Sequence, residues 1–188
     1  MQAWPGFRLR RAAHAIARGG VVAYPTEAVF GIGCDPDDPR AVEHVLALKE
    51  RPWHKGLIVI AAAAADLLPY LGSVSEEQWR TMTDTWPGAV TWLVPCSNAA
   101  PTLVTGASDQ IAVRVPGHAL ARALCRHCGG ALVSTSANRA GQWPLRSVTA
   151  VRRRFGHRLD DLVPGRLGAH ARPSTIRSIT TGEVIRPG

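Results

Sequence analysis

PRAVEHVLALKERPWHKGLIVIAA, residues 39–62, passes from a helix through a basic loop into an apolar strand. Asp38 offers an N-cap side chain, and Pro39 suits the first helical position, where its missing N–H costs nothing. Val42, Val45, Leu46 and Lys49 then recur at helical spacing. Pro52 is expected to end the helix, because its ring disfavours helical backbone in the residue before it. GLIVIAA (56–62) is short, continuously apolar and β-branched, the pattern of a strand covered on both faces. A helix feeding into a buried strand is the building unit of an α/β fold.

The alternation continues in both directions. Upstream, residues 7–18 carry Phe7, Ala12, Ala13, Ile16 and Ala17 near one helical face, with Gly19-Gly20 as a stop. VVAY (21–24) is a strand running into Pro25-Thr26-Glu27, followed by a loop through Gly31, Gly33 and Asp35. Downstream, Ser75 and Gln78 form a capping box for a helix to about residue 83. AVTWLVP (89–95), IAVRVP (111–116) and ALVST (131–135) are strands, 118–128 is a helix stopped by Gly129-Gly130, and SVTAVRRRF (147–155) is a basic helix. The tail offers short strands near Leu162-Val163, 174–179 and 183–186. Several connections are too short for helical crossovers, so the sheet should be mixed. The expected architecture is a single α/β domain over residues 1–188.

Composition excludes other classes. The 188 residues suffice for one core and are short for two. An apolar fraction of 46% with 19% charged residues is globular rather than disordered, and 18 Gly with 14 Pro oppose a helical bundle. No apolar run approaches the ~20 residues that span a bilayer. The N-terminal MQAWPGFRLRRAAHAIARGG scatters arginines through its apolar residues, unlike a secretory signal. The expected compartment is the cytoplasm, with no membrane partner. Cys34 and Cys96 stand alone and Cys125-x-x-Cys128 closes a helix instead of opening one, so the four thiols read as inert.

Charge is distributed unevenly. Residues 1–138 are nearly neutral, whereas 139–188 hold 10 arginines against 3 acids, including Arg152-Arg153-Arg154. Such a lobe suits a polyanion, or simply a solvated surface. Only two of the 22 basic residues are lysines, Lys49 and Lys55, and both flank the same loop. A compact ammonium is one solution for phosphate binding.

No Walker A loop, dinucleotide fingerprint, zinc-protease motif or nucleophile elbow is present. Two polar clusters stand out instead. Lys49-Glu50-Arg51-Pro52-Trp53-His54-Lys55-Gly56 puts three cations within seven residues; they either clamp a polyphosphate or compensate a helix C-terminus. Ser134-Thr135-Ser136-Ala137-Asn138 follows a strand, where hydroxyl and amide groups serve a nucleotide or merely form a turn. Arg114 inside a strand requires an anion, either a substrate carboxylate or an acidic side chain. His54, His118 and His127 lack metal-ligand spacing, so no protein metal site is expected. Trp86 and Trp92 read as core, and Trp53 and Trp143, in loops beside the two clusters, either stack on a base or cover the site, with packing the favoured reading.

VVAYPTEAVFGIGCDP, LALKERPWHKGLIVIAA, WPGAVTWLVP, AVRVPGHALARALC, ALVSTSANRAGQ and RPSTIRSITTGEVIRPG, in this order, resemble the TsaC/YrdC family of bacterial threonylcarbamoyl-AMP synthases in its short form. The resemblance runs from about residue 7 to 188, and its K-x-R and S-x-N signatures are specific in combination. It implies a twisted mixed sheet flanked by helices, with a basic concave cavity. It also implies a nucleotidyltransferase: L-threonine and bicarbonate or CO2 give an N-carboxylated amino acid, which attacks the α-phosphate of ATP and releases pyrophosphate. Magnesium would accompany the phosphates, and a partner complex would pass the threonylcarbamoyl group to tRNAs reading ANN codons.

By resemblance, Lys49 and Arg51 (K-x-R) with Ser136 and Asn138 (S-x-N) are the catalytic, ATP-holding residues, joined by Lys55 and Arg186. Thr26, Arg114, Ser134 and Ser174 match threonine-binding positions, while Ile60 stands where longer relatives carry a histidine. Deleting the final R-P-G is expected to weaken ATP binding more than threonine binding. The alternative from another class is a non-catalytic module for double-stranded RNA or tRNA, suggested by the basic C-terminal lobe. A third reading, carbamoyl-adenylate chemistry as in hydrogenase-maturation proteins, is opposed by the short chain.

Overall fold

The structure, a computed structural model, describes residues 6–139, 141–169 and 172–188. The first five residues of the N-terminal stretch, Ala140 of the S-x-N segment, and residues 170–171 lie outside them. In chain order the elements are α1 (Gly6–Ala17), β1 (Val22–Pro25), β2 (Phe30–Gly33), α2 (Pro39–Lys49), β3 (Ile58–Ile60), α3 (Glu76–Asp84), β4 (Val90–Pro95), α4 (Thr102–Thr105), β5 (Gln110–Arg114), α5 (Ala119–Cys128), β6 (Leu132–Ser136), α6 (Val148–Phe155), β7 (Asp161–Leu162), β8 (Thr175–Ser178) and β9 (Val184–Arg186). The strands form one nine-stranded mixed sheet in the order β7-β1-β2-β6-β3-β5-β4-β8-β9. Three pairings are parallel, β1 with β7, β3 with β5, and β4 with β8.

Strand alternation divides the core. Ala23, Ile32, Val59, Val133, Val113 and Trp92 point to one face, where α2 adds Val42, Val45 and Leu46. Val22, Tyr24, Ile60 and Leu132 point to the other and pack under α1 and α5 through Leu9, Ile16, Leu120 and Leu124. The second helical face covers only part of the sheet, and the uncovered part is where the cavity described below lies.

Several local expectations hold. Asp38 accepts from the backbone N–H groups of Arg40 and Ala41, and Ser75 and Gln78 form the reciprocal capping box. The helix at 118–128 takes His118 as its N-cap and Gly129, in the left-handed region, as its C-cap. All four cysteines are free, Cys34 and Cys125 buried. No described helix is long and apolar enough to cross a membrane.

Other expectations are corrected. Helix α2 stops at Lys49 as the periodicity indicated, but what turns the chain is Glu50 rather than Pro52: Glu50 takes a left-handed backbone (φ 51°, ψ 41°) and donates its N–H to Ala47 O. The segment read as a glycine loop, 30–33, is strand β2, buried throughout and paired with β1 and β6. Its glycines are steric requirements: a Cβ on Gly33 would lie 2.2 Å from Val133 O. Trp53 and Trp143 do not pack. They are 49% and 91% exposed, Trp53 on a 3₁₀ turn and Trp143 outside any helix or strand. Trp92 is core, whereas Trp86 is only partly buried against it.

Candidate active site

The uncovered face of the sheet carries Gly31, Ala112, Ser134 and Ser136, small or polar residues that offer little for another helix to pack on, with Ile58 beside them. They floor a cavity of about 490 Å³. Gly31 keeps this floor open: a Cβ there would touch Thr26 Cγ2 at 3.3 Å, Ser134 Oγ at 3.5 Å and Tyr24 Cε2 at 3.5 Å. All ten residues singled out from the sequence line this one cavity.

One end is cationic. Lys49 sits on the last turn of α2, yet it does not serve the helix terminus. The left-handed turn at Glu50 bends the chain away, and the ammonium reaches across to β6. It donates to Ser136 O (2.5 Å) and Asn138 O (2.6 Å). A lysine has three donors, so one remains for a ligand. The residue is 5% exposed, and burial, followed by the neighbouring Arg51, pulls its pKa down to about 8. Arg51 donates to Gly56 O and Lys55 O, both at 2.9 Å, which folds the K-x-R loop around its own guanidinium. An ion pair between Arg139 and Glu50 (2.6 Å) stitches this loop to the S-x-N segment. Lys55 follows on a 3₁₀ turn (Trp53–Lys55).

The S-x-N segment supplies carbonyls as much as side chains. Asn138 Nδ2 donates to Arg139 O (3.0 Å) and Gln142 O (2.7 Å), so the amide holds its own turn while its Oδ1 is buried without a partner among the described residues. The carbonyls of Ser136 and Asn138 locate Lys49, which the spacing of the two motifs did not reveal.

The other end is nearly neutral. Arg114, from β5, donates through Nε to Gly88 O (2.8 Å) and forms a buried ion pair through Nη2 with Glu27. Of the two partners the sequence left open, an acidic side chain is therefore present, and Nη1 remains for a second anion. Thr26 Oγ1 donates to Val29 O (2.7 Å), which leaves its lone pairs as acceptors. Ser134 stands over Gly31. The Ser174 hydroxyl is hydrogen-bonded to the Thr91 hydroxyl at 2.8 Å and largely buried, so it reaches a ligand only by sharing that bond. Ile60 closes the wall where a histidine was noted as missing.

Arg186 connects the ends. It comes from β9, which pairs with β8, and donates to Ser174 O (2.9 Å). Burial lowers the guanidinium pKa of both Arg51 and Arg114, and the charge of Arg186 adds to the depression of each. Glu27, Gly31 and Arg172 also line the cavity and were not among the sequence candidates. Glu27 was detectable, since it lies in the Pro25-Thr26-Glu27 turn and Arg114 demanded an anion.

The chain matches the Sua5/YciO/YrdC model, described as "Telomere recombination", over residues 14–188. It belongs to this family. A protein of Halorhodospira halophila named threonylcarbamoyl-AMP synthase is 53% identical over 180 residues, 96% of this chain and 94% of that one. A protein of the same name from Cellvibrio japonicus is 48% identical over 96% and 95% of the two chains. Among solved structures, P. abyssi Sua5 complexed with L-threonine superposes with a TM-score of 0.93 at 30% identity. That match covers this whole chain and 56% of the longer Sua5 chain. The fold of this chain is thus that of the matched part of the Sua5 chain.

Under the assignment proposed below, with ATP at the cationic end and threonine at the neutral one, replacing Arg186 with alanine should weaken ATP binding several-fold and threonine binding less, because Arg114 keeps Glu27 as its partner. Calorimetric titrations of each ligand check this. Equal losses would contradict the two-ended description.

Proposed function

We propose that this chain, acting as one YrdC-like domain, is an L-threonylcarbamoyladenylate synthase. The observation that supports this most is the polarity of the cavity: three cations at one end for a polyphosphate, and the Arg114–Glu27 pair with Thr26 and Ser134 at the other for an amino acid. The names of the relatives agree with it.

In this reading Arg114 Nη1 receives the threonine carboxylate, and Thr26, Ser134 and Ser174 surround the rest of the amino acid. The threonine nitrogen bonds to the carbon of CO2 and loses a proton, giving a carbamate. A carbamate oxygen then attacks the α-phosphorus of ATP, the bond to the β-phosphate bridge breaks, and pyrophosphate leaves with the electron pair. Such a displacement asks chiefly for positioning and for offsetting charge. Lys49 and Arg51, preorganised by backbone carbonyls, do the second, with Lys55, Asn138 and Ser136 along the nucleotide and Arg186 between the ends.

Magnesium fits this site only as a companion of the triphosphate. Glu27 is the one carboxylate among the lining residues and is ion-paired, and no cluster of three metal-ligating side chains exists among the described residues. A cation of this kind commonly keeps its waters and its phosphate ligands. The product would pass to a transfer complex acting on tRNA. The RNA-binding alternative has no support from the relatives' names, and its C-terminal charge is partly absorbed by Arg172 and Arg186 at this cavity and by the ion pair of Arg139 with Glu50.

Incubation with ATP, L-threonine and carbon-labelled bicarbonate tests the reading by mass. The expected product is an adenylate carrying one labelled carbon and one threonine; its absence from folded, ATP-binding protein would overturn the assignment.

Activity should also carry a basic limb. Lys49 is charged below its pKa of about 8, so kcat/KM for ATP should fall as pH rises through that value. The fold should not weaken with it. The folded-state pKa lies below the ordinary lysine value of 10.5, so the unfolded chain binds the extra proton between the two, and Lys49 contributes rising stability over that window. A flat pH profile for kcat/KM from 7 to 9 would contradict the role of Lys49.

A further inference from the structure

The Glu27 carboxylate is 6% exposed, and Oε1 does all of its hydrogen bonding. That oxygen accepts from Arg114 Nη2 and from the Gly117 N–H (2.6 Å), so it ties strand β5 to the turn that opens α5. The second oxygen, Oε2, is buried with no hydrogen-bond partner among the described residues. An amide oxygen could accept both Oε1 bonds, but without the charge assistance that strengthens the one from Arg114. What the carboxylate supplies beyond them is a negative charge, held against Arg114 at the bottom of an otherwise cationic cavity.

That charge has a consequence for the contents of the cavity. Lys49, Arg51, Lys55, Arg172 and Arg186 line the same space, and among the lining residues Glu27 is the only acid. Without it, Arg114 would extend the cationic track from Arg186 to the amino-acid end, and a phosphate would be attracted to either end. With it, Arg114 keeps its donor geometry, and the ion pair as a whole carries no net charge. A guanidinium with a carboxylate beside it suits a zwitterion, whose own opposite charges match the pair, and disfavours a polyanion, which meets the carboxylate's repulsion. Repulsion built against the wrong ligand is a recognised route to specificity.

We infer that Glu27 is a positioning and charge-selecting residue, which orients Arg114 and reserves that end of the cavity for an amino-acid zwitterion by excluding phosphate from it. This rests on the amino-acid end being assigned as under the proposed function. Glu27 acts through Arg114 and takes no part in bond making.

The test is competition measured by calorimetry, with inorganic phosphate and pyrophosphate as probes. In the wild-type protein both should compete with ATP and neither with L-threonine. In Glu27→Gln, which keeps an acceptor at Oε1 but removes the charge, phosphate should become a competitor of threonine. The threonine KM should rise by about tenfold, the scale of a disturbed charge-assisted contact, with kcat at saturating threonine changing less. Glu27→Asp, which retains the charge, should still exclude phosphate although its shorter reach loosens Arg114. Phosphate displacing threonine from the wild-type protein would overturn the inference even if no variant folds. So would a Glu27→Gln protein with wild-type competition, or a Glu27→Asp protein admitting phosphate as Glu27→Gln does. Failure of wild-type protein to bind threonine at all would instead remove the proposed function, and this inference with it.

Discussion

Lys49→Ala should lower kcat/KM for ATP by roughly 30- to 1,000-fold, the ~2–4 kcal/mol associated with one preorganised electrostatic donor. The size follows from three features acting together. Two of the ammonium's donors are fixed on Ser136 O and Asn138 O, so the third is aimed without further ordering. The group is 5% exposed, and its interactions are little weakened by solvent. It is also one of only two lysines in the chain, and Lys55, on a 3₁₀ turn with no ion pair among the described residues, is not held in an equivalent place. Stability should change much less than activity. The variant loses two charge-assisted bonds, but it no longer has to bury an ammonium, and these effects oppose each other. Steady-state kinetics with a thermal melt separates the two. Near-normal turnover with an intact fold would remove Lys49 from the site.

Arg114→Ala should be damaging in both respects. It leaves Glu27 buried without its counter-charge, and breaking one side of such a pair costs about 3–5 kcal/mol. It also removes the guanidinium paired with Glu27 at the amino-acid end, so threonine binding should fall below detection in a direct titration. The double variant Arg114→Ala, Glu27→Gln isolates these effects. It no longer buries an unpaired charge, so much of the lost stability should return, while threonine binding should not. Recovery of both, or of neither, would mean that the pair does not have the two roles assigned to it.

The elements of the fold that local chemistry determines were legible in the sequence. Asp38-Pro39 and the Ser75/Gln78 box mark helix starts through side chain to backbone bonds made within four residues. Strand β2 was not legible. FGIG resembles a loop because glycine lacks strand propensity, and only the closeness of Tyr24 on the adjacent strand and of Val133 O, far away in sequence, explains why nothing larger is tolerated. The end of α2 shows the same limit: Pro52 is an evident breaker, but the chain turns at Glu50, whose left-handed backbone swings Arg51 towards Gly56.

The site followed a similar division. K-x-R, S-x-N and the arginine in β5 are chemically conspicuous, and their convergence on one cavity was anticipated from resemblance. Their connections were not. That Lys49 is oriented by backbone carbonyls, that Ser174 shares its hydroxyl with Thr91, and that Glu27 faces Arg114 are long-range relations which no spacing encodes. The exposed Trp53 and Trp143 went the other way: aromatic residues are buried on average, and only the placement of their loops makes these two exceptions.

Pyrophosphate release from ATP, measured with bicarbonate and magnesium in the presence and absence of L-threonine, addresses the central claim most directly. A cavity with one polyphosphate end and one amino-acid end predicts release that depends on threonine and saturates with it. Release that is independent of threonine, or absent from folded protein that binds ATP, would contradict the account.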